Sequence, residues 1–219
     1  MLCPIPGCPT KAPPRGVVCP IHWQLVPMTL RTDVNALFDP GKHPEDQQAS
    51  YLSAAAAAVE AAAKRWRSVM QVPRIKALTL HRPWAWLIAA GHKPLENRSW
   101  APPASMVGQR MAIHAGQEID KDGALFVQQE FRLELPADAW QTGVVALATI
   151  DRLFTDSAKL PTEPLCESPW YSGKVAWVLR DVVRIPAVES SGMQGLWSLS
   201  EDVAKTVWYR YHAGLAARE

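Results

Sequence analysis

Near Gln71-Val72-Pro73 the apolar residues of this chain change period, recurring at three- and four-residue intervals before that point and alternating after it. In "TLRTDVNALF", Leu30, Val34, Leu37 and Phe38 fall at helical spacing, and Asp39-Pro40-Gly41 ends the run. A second helix is predicted from about Pro44 to Val69, with Tyr51, Leu52, Ala55, Val59, Ala62, Ala63 and Trp66 tending to one side and many alanines favouring helix. Past the boundary, "KALTL" reads as a strand over residues 76 to 80, with Leu78 and Leu80 on one face. Pro83 suits the first turn of a short helix whose stripe is Trp84, Leu87 and Ile88, and Ala90-Gly91 terminates it. A strand starting near Leu95 sets Glu96 and Arg98 on one face, because its side chains alternate. In "GQRMAIHAG", Met111 and Ile113 oppose Arg110, Ala112 and His114. An acidic helical or irregular insertion follows from about Gln117 to Leu133, and "GVVALATI" and "GKVAWVLRDVVRI" read as long valine-rich core strands. Ser198 with Glu201 predicts a capping box for a last helix bearing Val203, Val207, Trp208 and Tyr211.

These elements divide the chain into residues 1–72, a small helical segment, and residues 73–219, a set of short strands around one early helix. That arrangement suggests a small mixed barrel of the α+β class rather than a doubly wound sheet. The chain has no internal repeat, no Gly-x-Gly-x-x-Gly, no phosphate-loop lysine, no His-Glu-x-x-His and no nucleophile elbow. At 219 residues and 48% hydrophobic it can bury one good-sized core with an appendage, or two small ones. A net charge of +2 argues against sequence-blind binding to long duplexes, which relies on many phosphate contacts. The charge is uneven: residues 73 to 116 hold Arg74, Lys76, Arg82, Lys93, Arg98 and Arg110 against Glu96 alone, whereas residues 117 to 163 hold nine acids and four bases. No apolar run reaches the roughly 20 residues a membrane span needs, so the expected setting is cytoplasmic, with no membrane partner.

Three of the four cysteines lie in the first nineteen residues, and Cys3, Cys8, Cys19 and His22 form Cys-x4-Cys-x10-Cys-x2-His. Zinc takes four such donors tetrahedrally, and two short-spaced pairs joined by a Pro- and Gly-rich turn supply them in a segment with little apolar core of its own. A structural Zn2+ is expected here, the alternative being reduced thiols beside a core histidine; four protein ligands leave no open position for catalysis. Cys166 is expected to be an inert or partly buried thiol. Lys64, Arg65 and Arg67 read as a solvated helix end or a phosphate contact. Through Cys19, His22, Trp23, Val26, Pro27 and Leu30, then Tyr51 and the alanine-rich helix, the segment resembles short uncharacterised zinc-knuckle proteins of phage and prophage genomes, a likeness that implies no function.

The stretch "LTLHRPWAWLIAAGHKPLENRSW", followed by "GQRMAIHAG" and "GMQGLWSL", resembles the ASCH domain of the wider PUA-like superfamily over about residues 75 to 198. Its core is Gly91-x-Lys93-x-x-Glu96-x-Arg98 together with His81, Pro83 and Trp84. The resemblance implies a PUA-like small mixed β-barrel with flanking helices, and a cleft beside the first barrel helix for RNA, DNA or a modified base, with no cofactor required there. It also implies kinship with small amidohydrolases similar to the enzyme that deacetylates N4-acetylcytidine. In those the equivalent of Lys93 is catalytic, and a threonine nucleophile stands where this chain has Glu96. A carboxylate cannot simply replace an alkoxide, so that mechanism does not transfer unchanged.

From the residues alone, Lys93 and Glu96 lie close enough to pair. They either fix the turn as a salt bridge or act as charge stabiliser and general base, with Arg98 and His114 converging on the same cleft. His81 is a ligand contact or a cap, and Arg82 a surface or phosphate contact. Of Trp84 and Trp86 one should be core, and the resemblance implies Trp84 beside the cleft with Trp86 in the packing; Trp170 and Tyr171 of "ESPWYSG" offer stacking, and Gln194 either reads a base edge or turns the chain. Three functions follow. The first is a module binding single-stranded RNA or a flipped, modified nucleobase. The second is an amidohydrolase of N4-acylcytidine, or a ribonuclease, using Lys93 and Glu96. The third is an assembly adaptor.

Overall fold

The computed structural model describes every residue except 1, 9, 15, 43–46, 156–167, 173 and 219. It divides the chain into two compact units, Met1–Val72 with Trp208–Glu219, and Pro73–Val207. No helix among the described residues is long and apolar enough to cross a membrane. Cys166 lies outside the described residues.

The first unit holds α1 (Pro20–Trp23), α2 (Met28–Leu37) and α3 (Ala49–Met70). Phe38, predicted to end the α2 stripe within the helix, is instead its extended C-cap. Pro44, the expected start of α3, lies outside the described residues. The face α3 buries follows Tyr51, Ala58, Ala62 and Val69, with Ala55 and Trp66 packed beside it, a helical stripe of small residues that admits close approach. Leu52, expected on that side, is instead exposed: it sits one position round the helix from Tyr51 and so falls off the stripe. Within this unit the Trp208 indole donates to the Ser68 carbonyl and the Tyr209 hydroxyl to the Ile21 carbonyl.

The second unit is a curled mixed sheet with flanking helices, the α+β, PUA-like architecture. Its strands are β1 (Lys76–Arg82), β2 (Leu95–Arg98), β3 (Arg110–Ile119), β4 (Gly143–Thr155), β5 (Val175–Val188) and β6 (Leu196–Ser198), in the order β2-β5-β4-β3-β1-β6. Among the described residues only β1 and β3 run parallel, with Lys76 opposite Met111 and Thr79 opposite His114. Among the described residues the ladder ends at β2 and β6, so backbone pairing stops short of a closed ring. The sheet buries Leu78, Leu80, Met111, Ile113, Ala146, Ala148, Ile150 and Trp177, one alternating face from each of four strands.

Helix α4 (Trp84–Ala89) follows a cis Arg82–Pro83 peptide and packs Ala85, Ile88 and Ala89 into this core. Gly91, at φ +83°, ends it by turning the chain so that the amides of His92 and Lys93 both donate to the Leu87 carbonyl. The predicted insertion after residue 117 resolves into the end of β3 and then α5 (Lys121–Phe131), capped by Asp120, whose carboxylate accepts from the Gly123 amide at 2.7 Å. The expected capping box does not form: Ser198 ends β6, and the last helix, α6 (Glu201–Ala216), begins after Ser200, whose carbonyl receives the Ala204 amide.

Trp177 is fully buried, and its indole donates to the Trp100 carbonyl at 3.2 Å. Trp177→Ala is expected to cost about 3–5 kcal/mol, the range for emptying a large aromatic site. Urea unfolding checks this, and a loss under about 1 kcal/mol would show that the core collapses around the gap.

Candidate functional site

The N-terminal cysteines and histidine converge. One ligand atom from each of Cys3, Cys8, Cys19 and His22 lies within 4.8 Å of the others, with Cys3, Cys19 and His22 buried. His22 faces the thiols with Nδ1, 3.1 Å from Cys19 Sγ and 3.5 Å from Cys3 Sγ, while its ring packs edge-on to Trp66. Burial pushes the His22 pKa down, which favours the neutral ring that metal binding needs. This cluster could hold a metal ion.

In the second unit the Gly91 turn delivers Lys93 into the interior, 4% exposed, between the end of α4 and the start of β2. Its ammonium donates to the Leu95 carbonyl at 2.6 Å and to Glu96 Oε2 at 2.9 Å, and lies 5.7 Å from the centre of the Trp84 ring. The other carboxylate oxygen, Glu96 Oε1, pairs with Arg98 Nε at 3.2 Å. Arg98 Nη2 in turn donates to the Thr79 carbonyl at 3.0 Å. A chain of charges therefore runs Lys93–Glu96–Arg98 from the helix to β1, with a hydrogen bond at Glu96 Oε2 and an ion pair without a hydrogen bond at Oε1.

Two cavities of about 620 Å³ each border this chain. The first, the aromatic cavity, is lined by Lys93, Glu96 and Asn97, by the rings of Trp84, Phe126 and Trp170, and by Asp120. Each wall is anchored. The Trp84 indole donates to Asp120 Oδ2 at 2.8 Å, Trp170 stacks on Phe131 with centroids 4.0 Å apart, and Asn97 joins Trp170 to Ser172 through both ends of its amide. The Gly123 amide and the Trp84 indole hold the Asp120 carboxyl below its usual range.

The second, the glycine-loop cavity, is lined by Thr79, His81, Arg98, His114 and the segment Ser190–Gly195. His114 sits at an irregularity in the β3–β4 ladder, where a bulge re-aims a side chain. It is 2% exposed and donates from Nε2 to the Ser190 carbonyl at 3.0 Å, which leaves Nδ1 as an acceptor without a partner among the described residues. Burial pushes its pKa down, against the opposing pull of the Ser190 carbonyl.

The residues expected to share one cleft are thus divided. Lys93, Glu96, Trp84 and Trp170 line one cavity, and His81, His114 and Gln194 the other, with Arg98 bordering the second while bound to Glu96. His81 is exposed and pairs with Glu118 at 3.0 Å. Arg82 lines neither cavity, because its guanidinium is spent on the Trp140 and Gln117 carbonyls. Tyr171 lines neither and lies edge-on to Phe154. Trp86 is buried beside Leu87 and Val127. The sequence reading missed Asn97, Asp120, Phe126, Thr79 and Ser190. Of these, only Asp120, three residues before Gly123 at a helix start, carried a local signal.

Compared with protein-family models, residues 78–189 match the ASCH domain. A search of curated proteins finds no match to the chain.

Two outcomes are expected. The purified protein carries close to one metal ion per chain, and Cys3→Ser loses it, as read by elemental analysis; metal-free wild-type protein would defeat the site. Because the unfolded chain takes up a proton at His114 near pH 6.5 and the folded one only at lower pH, this residue's contribution to stability falls as pH drops below about 6.5. Denaturant titrations of wild type and His114→Gln at pH 7.5 and pH 5.5 check this, the gap between them narrowing in acid. A gap independent of pH would refute it.

Proposed function

Since this chain belongs to the ASCH domain family, we propose that its second unit binds a nucleobase, held in the aromatic cavity as part of single-stranded RNA or as a modified base. The observation that carries this reading is the convergence of Trp84, Phe126 and Trp170 with the buried Lys93–Glu96 pair on one cavity of nucleoside size. Rings give stacking that any base accepts, and Asn97 and the carboxylates of Asp120 and Asp122 at the same cavity suit a base with exocyclic amine hydrogens. The carboxylates outnumber Lys93 there, so a phosphate fits better outside. A neighbouring groove lined by Arg98, Trp100 and Lys174 shares Asn97 and Ser172 with the cavity and supplies cations for a backbone.

A second reading, removal of an acyl group from N4-acylcytidine, is favoured by the Lys93 Nζ to Glu96 Oε2 contact of 2.9 Å, which sets an ammonium to polarise an amide oxygen beside a carboxylate. It ranks lower because Lys93 already hydrogen-bonds one carboxylate oxygen and Arg98 is ion-paired with the other. For the N-terminal cluster we infer a structural zinc ion, the metal that a three-cysteine, one-histidine set takes in a closed tetrahedral site.

The test is fluorescence titration of the full chain with a short single-stranded RNA. Saturable binding that weakens with salt is expected, and Trp170→Ala should reduce affinity by roughly 5- to 150-fold, the equivalent of about 1–3 kcal/mol of lost stacking. Unchanged affinity in Trp170→Ala would sink the binding reading. Turnover of N4-acetylcytidine by wild type, lost in Lys93→Ala, would replace it with the hydrolase.

A further inference from the structure

The glycine-loop cavity holds polar groups that the aromatic cavity does not use. His114 Nδ1 is a buried acceptor, fixed in that role because Nε2 gives its hydrogen to the Ser190 carbonyl. The Ser190 hydroxyl oxygen is also buried with no partner among the described residues. Arg98 donates from Nη2 to the Thr79 carbonyl, while its Nε lies 3.2 Å from Glu96 Oε1 as an ion pair without a hydrogen bond among the described residues, so the guanidinium keeps donors to offer. Buried polar atoms left without partners are costly, and a cavity that gathers them is suited to a ligand that satisfies them.

Gly192 lies against the ring edge of His114 that bears this acceptor. A Cβ there would come within 2.6 Å of His114 Cε1, 2.8 Å of Nδ1 and 2.9 Å of Thr79 Oγ1, so a larger residue would fill the space at the ring edge that bears the acceptor. The ring cannot turn aside freely, since its other nitrogen is tied to Ser190 and its face meets Trp197 edge-on at 5.6 Å. Trp197 is held in turn, its indole donating to the Thr79 hydroxyl at 3.0 Å.

We infer that this cavity is a second base site, which reads the imide edge of a uracil-type ring. Its ring N–H donates to His114 Nδ1, and the two flanking carbonyls accept from Arg98 and from the Ser190 hydroxyl. The order of ligand groups, acceptor, donor, acceptor, calls for one protein acceptor and two donors, the complement of groups that lines this cavity. A phosphate is disfavoured, because a neutral acceptor offers an anion nothing. The choice of a nucleobase rests on the base-binding function proposed above, while the site itself is separate from Trp84 and Trp170.

Titration of the full, metal-loaded chain with uridine and with 3-methyluridine tests this, followed by the nitrogen resonances of the His114 ring. Uridine is expected to bind saturably and to shift the Nδ1 resonance. 3-Methyluridine, which lacks the donor, should bind at least about tenfold more weakly, the equivalent of one lost hydrogen bond of about 1.4 kcal/mol. Gly192→Ala should weaken uridine without unfolding the domain, as checked by its denaturation midpoint. Equal binding of the two nucleosides, no uridine binding at millimolar concentration, or binding that leaves His114 undisturbed would each overturn the proposal. None of these would touch the Trp170-dependent binding of RNA, whose loss with uridine binding intact would instead strike the first site alone.

Discussion

The chain of charge from Lys93 through Glu96 to Arg98 and the Thr79 carbonyl is the constraint on which the second unit depends. Backbone pairing leaves β2 at one end of the sheet order and β1 near the other, and the Arg98 side chain joins the two. Curling alone does not require a lysine and a glutamate inside, and apolar residues of equal volume would often be as stable. Once the charges are buried, however, none can leave alone: removal of one partner strands another in a poor solvent, at a cost of about 3–5 kcal/mol. The spacing in Gly91-x-Lys93-x-x-Glu96-x-Arg98 is therefore a geometric requirement. The glycine turns the backbone, the lysine enters from the turn, and the alternation of β2 brings Glu96 and Arg98 to one face.

That same chain is a shared wall. Glu96 Oε2 is held by Lys93 at the aromatic cavity, whereas Oε1 is held by Arg98, which lines the glycine-loop cavity. Under the proposed reading, occupancy of one cavity presses on the ion pair that borders the other. The two could then hold successive bases of one strand or respond to one another's ligands. The aromatic side is built for stacking and the glycine-loop side for an edge, a division that one composite cleft would not have.

Much of this was legible in the residues. Alternation located β1 and β3, valine-rich runs bounded by glycine located β4 and β5, proline and glycine bracketed α4, and the two-residue period set Glu96 and Arg98 on one face, as their 3.2 Å contact requires. Burial of the pair was harder to read, because three charged residues in eight look like surface until the turn at Gly91 is known. The division into two cavities was not legible at all. It depends on the curl of the sheet, on irregular registers beside His81 and His114, and on Asn97 reaching Trp170 more than seventy residues away. Arg82 misled for a related reason. A guanidinium next to a proline looks available for phosphate, yet two carbonyls from distant segments claim it.

The engagement of Glu96 also bears on which chemistry the site can perform. A general base must offer a lone pair to a water or hydroxyl and then carry the proton, which a carboxylate oxygen does through a lone pair its existing partner leaves free. Here a proton arriving on Glu96 would remove the charge that pairs it with Lys93 on one side and with Arg98 on the other. Loss of the Arg98 pair would loosen the contact from Glu96 that steadies its grip on β1. An alkoxide nucleophile in this position would lack that entanglement, since a hydroxyl needs no second cation to be buried. The substitution of a carboxylate ties the strand edge into place, and in doing so makes Glu96 an anchor between the walls of the two cavities, which suits the proposed binding role.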